Sequence, residues 1–226
     1  MKSAMPPPSP LPEAPAIPSK KHSFEVHGTQ LSDDFAWLKA ENWREVLTDP
    51  AALDPSIRTV LERENAYTEG VFAGTEAFQK ALVAEMRGRI KEDDSSVPEP
   101  DGPFSYFTRY REGGQHPLVC RIPRDGHVET ILLDSDKEAS GHAFFDLGGA
   151  DHSPDHRLMA WSADRKGSEY FTIKVRDLET GHDITDEIPR TSGGVVWLGN
   201  SAGFYYVELD DNHRPVRVKR HLIGTS

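Results

Sequence analysis

The stretch SPDHRLMAWSADRKGSEYFTIKVRDLETG, residues 153–181, decides how the chain is read. It contains two β-runs, 158–162 and 170–177. The second alternates Phe171, Ile173 and Val175 with Thr172, Lys174 and Arg176, the period-2 pattern of a strand with one buried face. Asp164, Lys166 and Gly167 supply the turn between the runs. Ser153-Pro154-Asp155 and Glu179-Thr180-Gly181 punctuate either end. Turn, strand, turn, strand, turn is the grammar of a propeller blade.

The unit recurs on both sides. Asp101-Gly102-Pro103 leads into a run at 104–110, a turn at Glu112-Gly113-Gly114, a run at 118–122, a turn at Asp125-Gly126 and a run at 130–133. Further on, the turn 199–203 leads into 204–209, a turn at Asp210-Asp211-Asn212, and 216–223. The openings Phe104, Leu158 and Phe204 fall about fifty residues apart, the spacing of blade-like repeats of roughly 40–50 residues. Such repeats cannot bury their faces alone, so each predicts a neighbour on either side.

At 226 residues the chain can hold one or two domains, with a modest 36% hydrophobic content. It has no apolar run long enough for a membrane helix and no apolar signal core behind Lys2, so a cytoplasmic address is expected. The single Cys120 cannot form an internal disulfide, which fits a reducing compartment, and its apolar run predicts a buried structural thiol. A net charge of −11 with no Lys/Arg cluster argues against nucleic acid.

Residues 1–30 predict a disordered, proline-rich leader, densest to about residue 20. Residues 31–95 predict a helical extension. Ser32 is positioned to cap a first helix carrying Asp33 and Asp34, with Phe35 and Leu38 inward. Asp54-Pro55 starts a second in cap-then-proline order, with Ile57, Val60, Leu61, Tyr67 and Val71 on one face, ending at Gly74. Thr75 opens a third with a stripe of Phe78, Leu82, Val83, Met86 and Ile90. Residues 96–226 then carry the antiparallel strands. The fold class expected is mainly β with an N-terminal α-helical extension.

Several short motifs in this layout come in a telling order: Asp33-Asp34-Phe35-Ala36-Trp37-Leu38, Glu64-Asn65-Ala66-Tyr67, Glu85, Arg89-Ile90-Lys91-Glu92-Asp93, Ser96-Val97-Pro98, Ser153-Pro154-Asp155, Glu169-Tyr170 and Asp177-Leu178. Together they resemble the N-terminal half of the oligopeptidase B branch of the prolyl oligopeptidase family of serine peptidases. The resemblance implies a helical extension followed by a seven-bladed β-propeller that covers an α/β-hydrolase domain, the whole cleaving short peptides after Arg or Lys. By the same alignment residue 226 falls inside the propeller. The chain is thus expected to be a truncated propeller whose partner is a C-terminal hydrolase domain, with Ser, Asp and His beyond its end. The alternative is a stand-alone interaction module built of propeller blades, without enzyme activity.

Within the 226 residues no catalytic, cofactor-binding or metal-binding residue is assigned. Gly199-Asn200-Ser201-Ala202-Gly203 matches G-x-S-x-G, the nucleophile elbow, but the elbow needs a strand, a sharp turn and then a helix, and a strand pattern follows Ser201 instead. Asp210, Asp211, His213 and His221 crowd the next hairpin rather than coming from distant loops. His152 and His156 flank a Pro154 turn with no third ligand near them in sequence, and are expected to be solvated loop histidines. Asp134, Asp136 and Glu138 imitate the start of a calcium loop, but Ala139 replaces the required glycine and Phe145 the bidentate Glu. Glu62, Arg63, Glu64, Glu92, Asp93 and Asp94 read as solvated charge.

Overall fold

A computed structural model describes residues 11–225 of the chain; residues 1–10, the most proline-rich part of the predicted leader, lie outside the described residues. The chain divides into two compact units, one ending at Ile90 and the other beginning at Lys91.

In the first unit, regular structure starts earlier than the expected boundary at residue 31. Strands β1 (Ser23–Val26) and β2 (Thr29–Ser32) form an antiparallel hairpin whose Val26↔Thr29 pair encloses His27 and Gly28, both with positive φ. Two left-handed residues make the tight turn whose twist matches paired strands. Ser32 therefore ends a strand instead of capping a helix. Asp33 Oδ1 accepts from the Phe35 N–H, and only one 3₁₀ turn, Ala36–Leu38, follows. A short helix absent from the sequence reading, α1 (Trp43–Thr48), comes next.

The two longer helices form where expected. In α2 (Pro55–Phe72) the Asp54 carboxylate accepts from the Ser56 N–H and proline occupies the first turn, where its missing N–H costs nothing. Ile57 and Val60 are buried, while Leu61 is half exposed. In α3 (Glu76–Arg87) the apolar stripe exists, yet Phe78, Leu82, Val83 and Met86 are all exposed, as is Ile90 beyond it. The Thr75 hydroxyl does not cap α3; it donates back to the Phe72 carbonyl.

The second unit is made of antiparallel strands. β3 (Glu99–Asp101), β4 (Phe104–Arg109), β5 (Leu118–Pro123) and β6 (Thr130–Asp134) form a four-stranded sheet in chain order. After the short α4 (Ser135–Ala139), β7 (Asp146–His152), β8 (Leu158–Asp164), β9 (Phe171–Asp177), β10 (Asp183–Trp197), β11 (Gly203–Leu209) and β12 (Pro215–Leu222) form a six-stranded sheet, again in chain order. The hairpin read from residues 153–181 is β8 with β9, in register from Leu158↔Asp177 to Ala163↔Thr172.

The six-stranded sheet is two blades joined through β10. Residues of its first half, such as Glu187 and Ile188, pair with β9, whereas Val195, Val196 and Trp197 pair with β11. Between them Arg190 and Gly193 have positive φ and the register shifts, which lets one strand finish a blade and begin the next. β3, β7 and the second half of β10 are thus the first strands of successive blades. This is the arrangement of a β-propeller.

The first and second blades each bury a face against the blade that follows. Val119, Leu132 and Leu133 of the first sheet pack on Phe145, Met159, Trp161 and Ala163. On the other face of β8 and β9, Ala160, Ile173 and Val175 pack with Phe204, flanked by Ile188, Val195 and Trp197. Covering both faces explains why β8 is buried almost throughout, with none of the alternation its neighbour β9 shows. Gly148 and Gly193 face this packing: a Cβ on Gly148 would collide with the Phe171 ring and one on Gly193 would press on the Ser162 hydroxyl.

Ile173 is fully buried between two blades, so Ile173→Ala should cost about 2–5 kcal/mol in equilibrium denaturation. Val218→Ala, at a side chain 74% exposed on β12, should change stability by no more than about 0.5 kcal/mol.

Candidate functional site

Chemistry-bearing side chains from two sheets meet where β3 and β7 end, at the boundary between the first two blades. Asp101 is the last residue of β3 and His152 the last of β7, so the repeat brings them side by side from 51 residues apart. Asp101 Oδ2 lies 2.8 Å from His152 Nε2, and that hydrogen bond is the main reason the Asp101 carboxyl is held below its ordinary value. His156 sits in the β7–β8 turn with φ +60°, an uncommon conformation for a residue with a Cβ. Its Nδ1 is 2.9 Å from the Tyr106 hydroxyl, and Nε2 faces the backbone at Gly102, where a Cβ would collide with it.

Aromatic packing fixes the group. The His152 ring stacks on Tyr106 with centroids 3.6 Å apart and planes 4° apart, and His156 lies 5.2 Å from His152. Arg121 donates to the His156 carbonyl at 2.9 Å and lies over the Phe104 ring. Burial, then the nearby His152, pushes the pKa of His156 down, and burial raises that of Tyr106. A small cavity of about 240 Å³ adjoins the cluster, with Tyr106, Val119, Leu132, His152 and Met159 among its walls.

The expectation of solvated loop histidines is corrected by this geometry. His152 ends a strand and stacks on a neighbour, and the third ligand candidate that sequence proximity lacked, the acidic Asp101, arrives from the preceding blade. The signal that could have found it is the repeat itself, because residues one blade period apart occupy equivalent places on neighbouring sheets.

Ser201 lies in the turn between β10 and β11 with φ +60°, and β11 follows it, as the sequence reading expected. Its hydroxyl accepts from the Asp155 N–H at 3.0 Å, tying one inter-strand turn to the next. A Cβ on Gly203, the last glycine of the motif, would run into the His221 carbonyl oxygen. His221 Nε2 is 2.6 Å from Asp186 Oδ2, which also accepts from the Gly224 N–H, and His213 Nε2 is 2.6 Å from the Ser168 carbonyl. Among the described residues no hydrogen bond joins Ser201 to a histidine.

Several of the other acidic residues singled out in the sequence have structural partners. Asp134 caps α4 through the Lys137 N–H and pairs with Arg111 at 2.6 Å. Asp136 accepts from the N–H groups of Gln115 and His116, and Glu138 pairs with Arg176 at 2.8 Å. Glu92 accepts from the Gly113 N–H, and Asp94 pairs with Lys91.

Residues 15–226 match the family described as prolyl oligopeptidase, N-terminal beta-propeller domain, and the chain belongs to that family. It is 28% identical to dipeptidyl aminopeptidase BI of Pseudoxanthomonas mexicana, over 93% of this chain and 30% of that protein. It is 26% identical to protease 2 of Moraxella lacunata, over 95% and 30%. Among solved structures it resembles oligopeptidase B of Leishmania major, with a TM-score of 0.83 and 26% identity over 94% of this chain and 31% of that one. The oligopeptidase B of Trypanosoma brucei with covalently bound antipain gives 0.81 and 27% over 95% and 31%. The chain spans about 30% of the length of these curated relatives.

Cys120 is fully buried in β5, and burial, with Glu129 next, pushes its thiol up to about 11. At pH 8 the thiolate is then about a thousandth of the population. A disulfide-exchange thiol reagent should leave the native chain unlabelled at pH 8 and modify one thiol once guanidinium unfolds it.

Proposed function

We propose that this member of the prolyl oligopeptidase family is the N-terminal propeller portion of an oligopeptidase-B-like serine peptidase that hydrolyses short peptides after Arg or Lys. The observation that carries the reading is the match of residues 15–226 to the family's propeller domain, joined to relatives more than three times as long. In this reading the propeller restricts entry to short peptides, and a C-terminal α/β-hydrolase domain outside residues 1–226 supplies the nucleophile, acid and base.

Ser201 takes no part in the chemistry. An acylating serine needs a histidine to take its proton, a carboxylate to orient that histidine, and donors for the oxyanion. The Ser201 hydroxyl instead accepts from a backbone N–H, and the histidines of the adjoining hairpin are bonded to Asp186 and to a carbonyl. Peptides are the expected partner and nucleic acid is not, given the net charge of −11. No described helix is long and apolar enough to cross a membrane. The reading places the enzyme in the cytoplasm, on the strength of a lone, buried thiol.

The test is release of a fluorophore placed after Arg in a short peptide, with a fluorophosphonate probe alongside. The 226-residue chain should show neither turnover nor labelling. In a chain that includes the hydrolase domain, Ser201→Ala should leave turnover within about twofold of the parent. Turnover or labelling of the 226-residue chain that Ser201→Ala abolishes would overturn the proposal.

The same reading expects the 226-residue chain to associate. β12 has one strand neighbour among the described residues, and Val216 and Val218 on it are exposed, as is the α3 stripe. Size-exclusion chromatography should show oligomers and a hydrophobic dye should bind. A compact, dye-silent monomer would favour a self-sufficient interaction module.

A further inference from the structure

We propose that Asp101, His152 and His156 form a binding site for a divalent transition metal of the zinc type, which clasps the first blade to the second. The inference does not depend on the peptidase reading. One ligand atom from each residue lies within 4.8 Å of the other two, close enough for a shared ion to draw them together. Two imidazoles and one carboxylate are a donor set that suits zinc and its first-row neighbours over calcium or magnesium, which prefer oxygen alone.

Three features support the geometry. First, the ligands come from two sheets: Asp101 closes β3 while His152 and His156 bracket the β7–β8 turn, so an ion held by all three joins two blades that share no backbone ladder. Second, the His156 ring is already oriented. Its Nδ1 is engaged by the Tyr106 hydroxyl, an outer partner of the kind that leaves Nε2 as the metal-binding nitrogen. Third, Gly102 provides the room, since any side chain there would occupy the space in front of His156 Nε2. His156 also holds a left-handed backbone, the kind of uncommon conformation that gathers at binding sites.

The site is not fully closed around an ion. The His152 and His156 planes are 19° apart and stacked, so His152 must turn out of its stack on Tyr106 for both nitrogens to point at one ion. Asp101, with its side chain 62% exposed, can follow, and solvent completes the coordination. Binding should therefore perturb the Tyr106 environment as well as the histidines.

The test uses the whole chain and zinc itself, titrated by calorimetry, with cobalt as the visible probe of coordination. One equivalent of zinc should bind, cobalt should develop d–d absorption, and zinc should raise the unfolding midpoint. Asp101→Asn keeps the shape of an exposed strand end and should weaken zinc at least tenfold, as should His152→Ala. Tyr106→Phe, a positioning change, should weaken zinc about tenfold or more while leaving the stoichiometry at one. His142→Ala, at an exposed histidine elsewhere, should change nothing. If zinc binding and the midpoint shift are the same in Asp101→Asn and His152→Ala as in the parent, or if the parent binds no zinc, the proposal is wrong. Circular dichroism of each variant separates lost ligands from lost fold. Should His152→Ala not fold, Asp101→Asn alone decides.

Discussion

A strand has two hydrogen-bonding edges, and β10 uses them for different blades. Thr191 is where the exchange occurs: it is paired with Phe171 of β9 on one side and with Glu208 of β11 on the other, and it is fully buried. Its hydroxyl donates to the Phe171 carbonyl and accepts from the Gly193 N–H, covering the backbone just where the chain bends away. The second and third blades are therefore tied by a continuous ladder. The first and second are not. They meet through side chains, with Arg176 reaching Glu138 of α4 and the Leu132 carbonyl of β6 while lying beside the Trp161 ring, and with the Asp101 and His152 contact at the strand ends. Any device that stiffens the unit has most to add at that first boundary.

How much of this was legible in the sequence follows from which signals are local. Apolar runs bounded by turn residues, such as β4, β5 and β11, announce themselves through that punctuation, and β9 also through alternation. β7 did not, because Leu147 is the one bulky apolar residue in Asp146-Leu147-Gly148-Gly149-Ala150; Gly148 is there for close approach to Phe171 and Ser162. β10 was hidden for a different reason. Polar residues and Pro189 interrupt any apolar alternation along it, and its strand character comes from partners on both sides. In the first unit the His27-Gly28 turn joins strands only four residues long and wholly exposed, too short to generate a period.

The candidate site was the least legible part. Each of its members had a sufficient local reading: Asp101 as a turn residue before Gly102, Tyr106 as a strand aromatic, His152 and His156 as bystanders of Pro154. Only superposition of one repeat on the next places the end of β3 beside the end of β7. The third first-strand end obeys the same rule, since Trp197 closes β10 and donates its indole N–H to the Asp151 carbonyl. Repetition thus converts positions far apart in the chain into a row along one rim, and side chains placed at that repeat position meet without any local motif.

Gly203 bears on how short patterns are counted. Its α-carbon sits against the His221 carbonyl, so the last letter of Gly199-Asn200-Ser201-Ala202-Gly203 is dictated by strand contact whatever the serine does. Ser201 likewise has a turn's work to do, with a left-handed backbone and a hydroxyl that accepts from the Asp155 N–H. A five-letter pattern with three fixed letters will then arise in blade-forming chains more often than residue frequencies alone imply. Background rates for that pattern should accordingly be taken from β-propellers rather than from shuffled sequence.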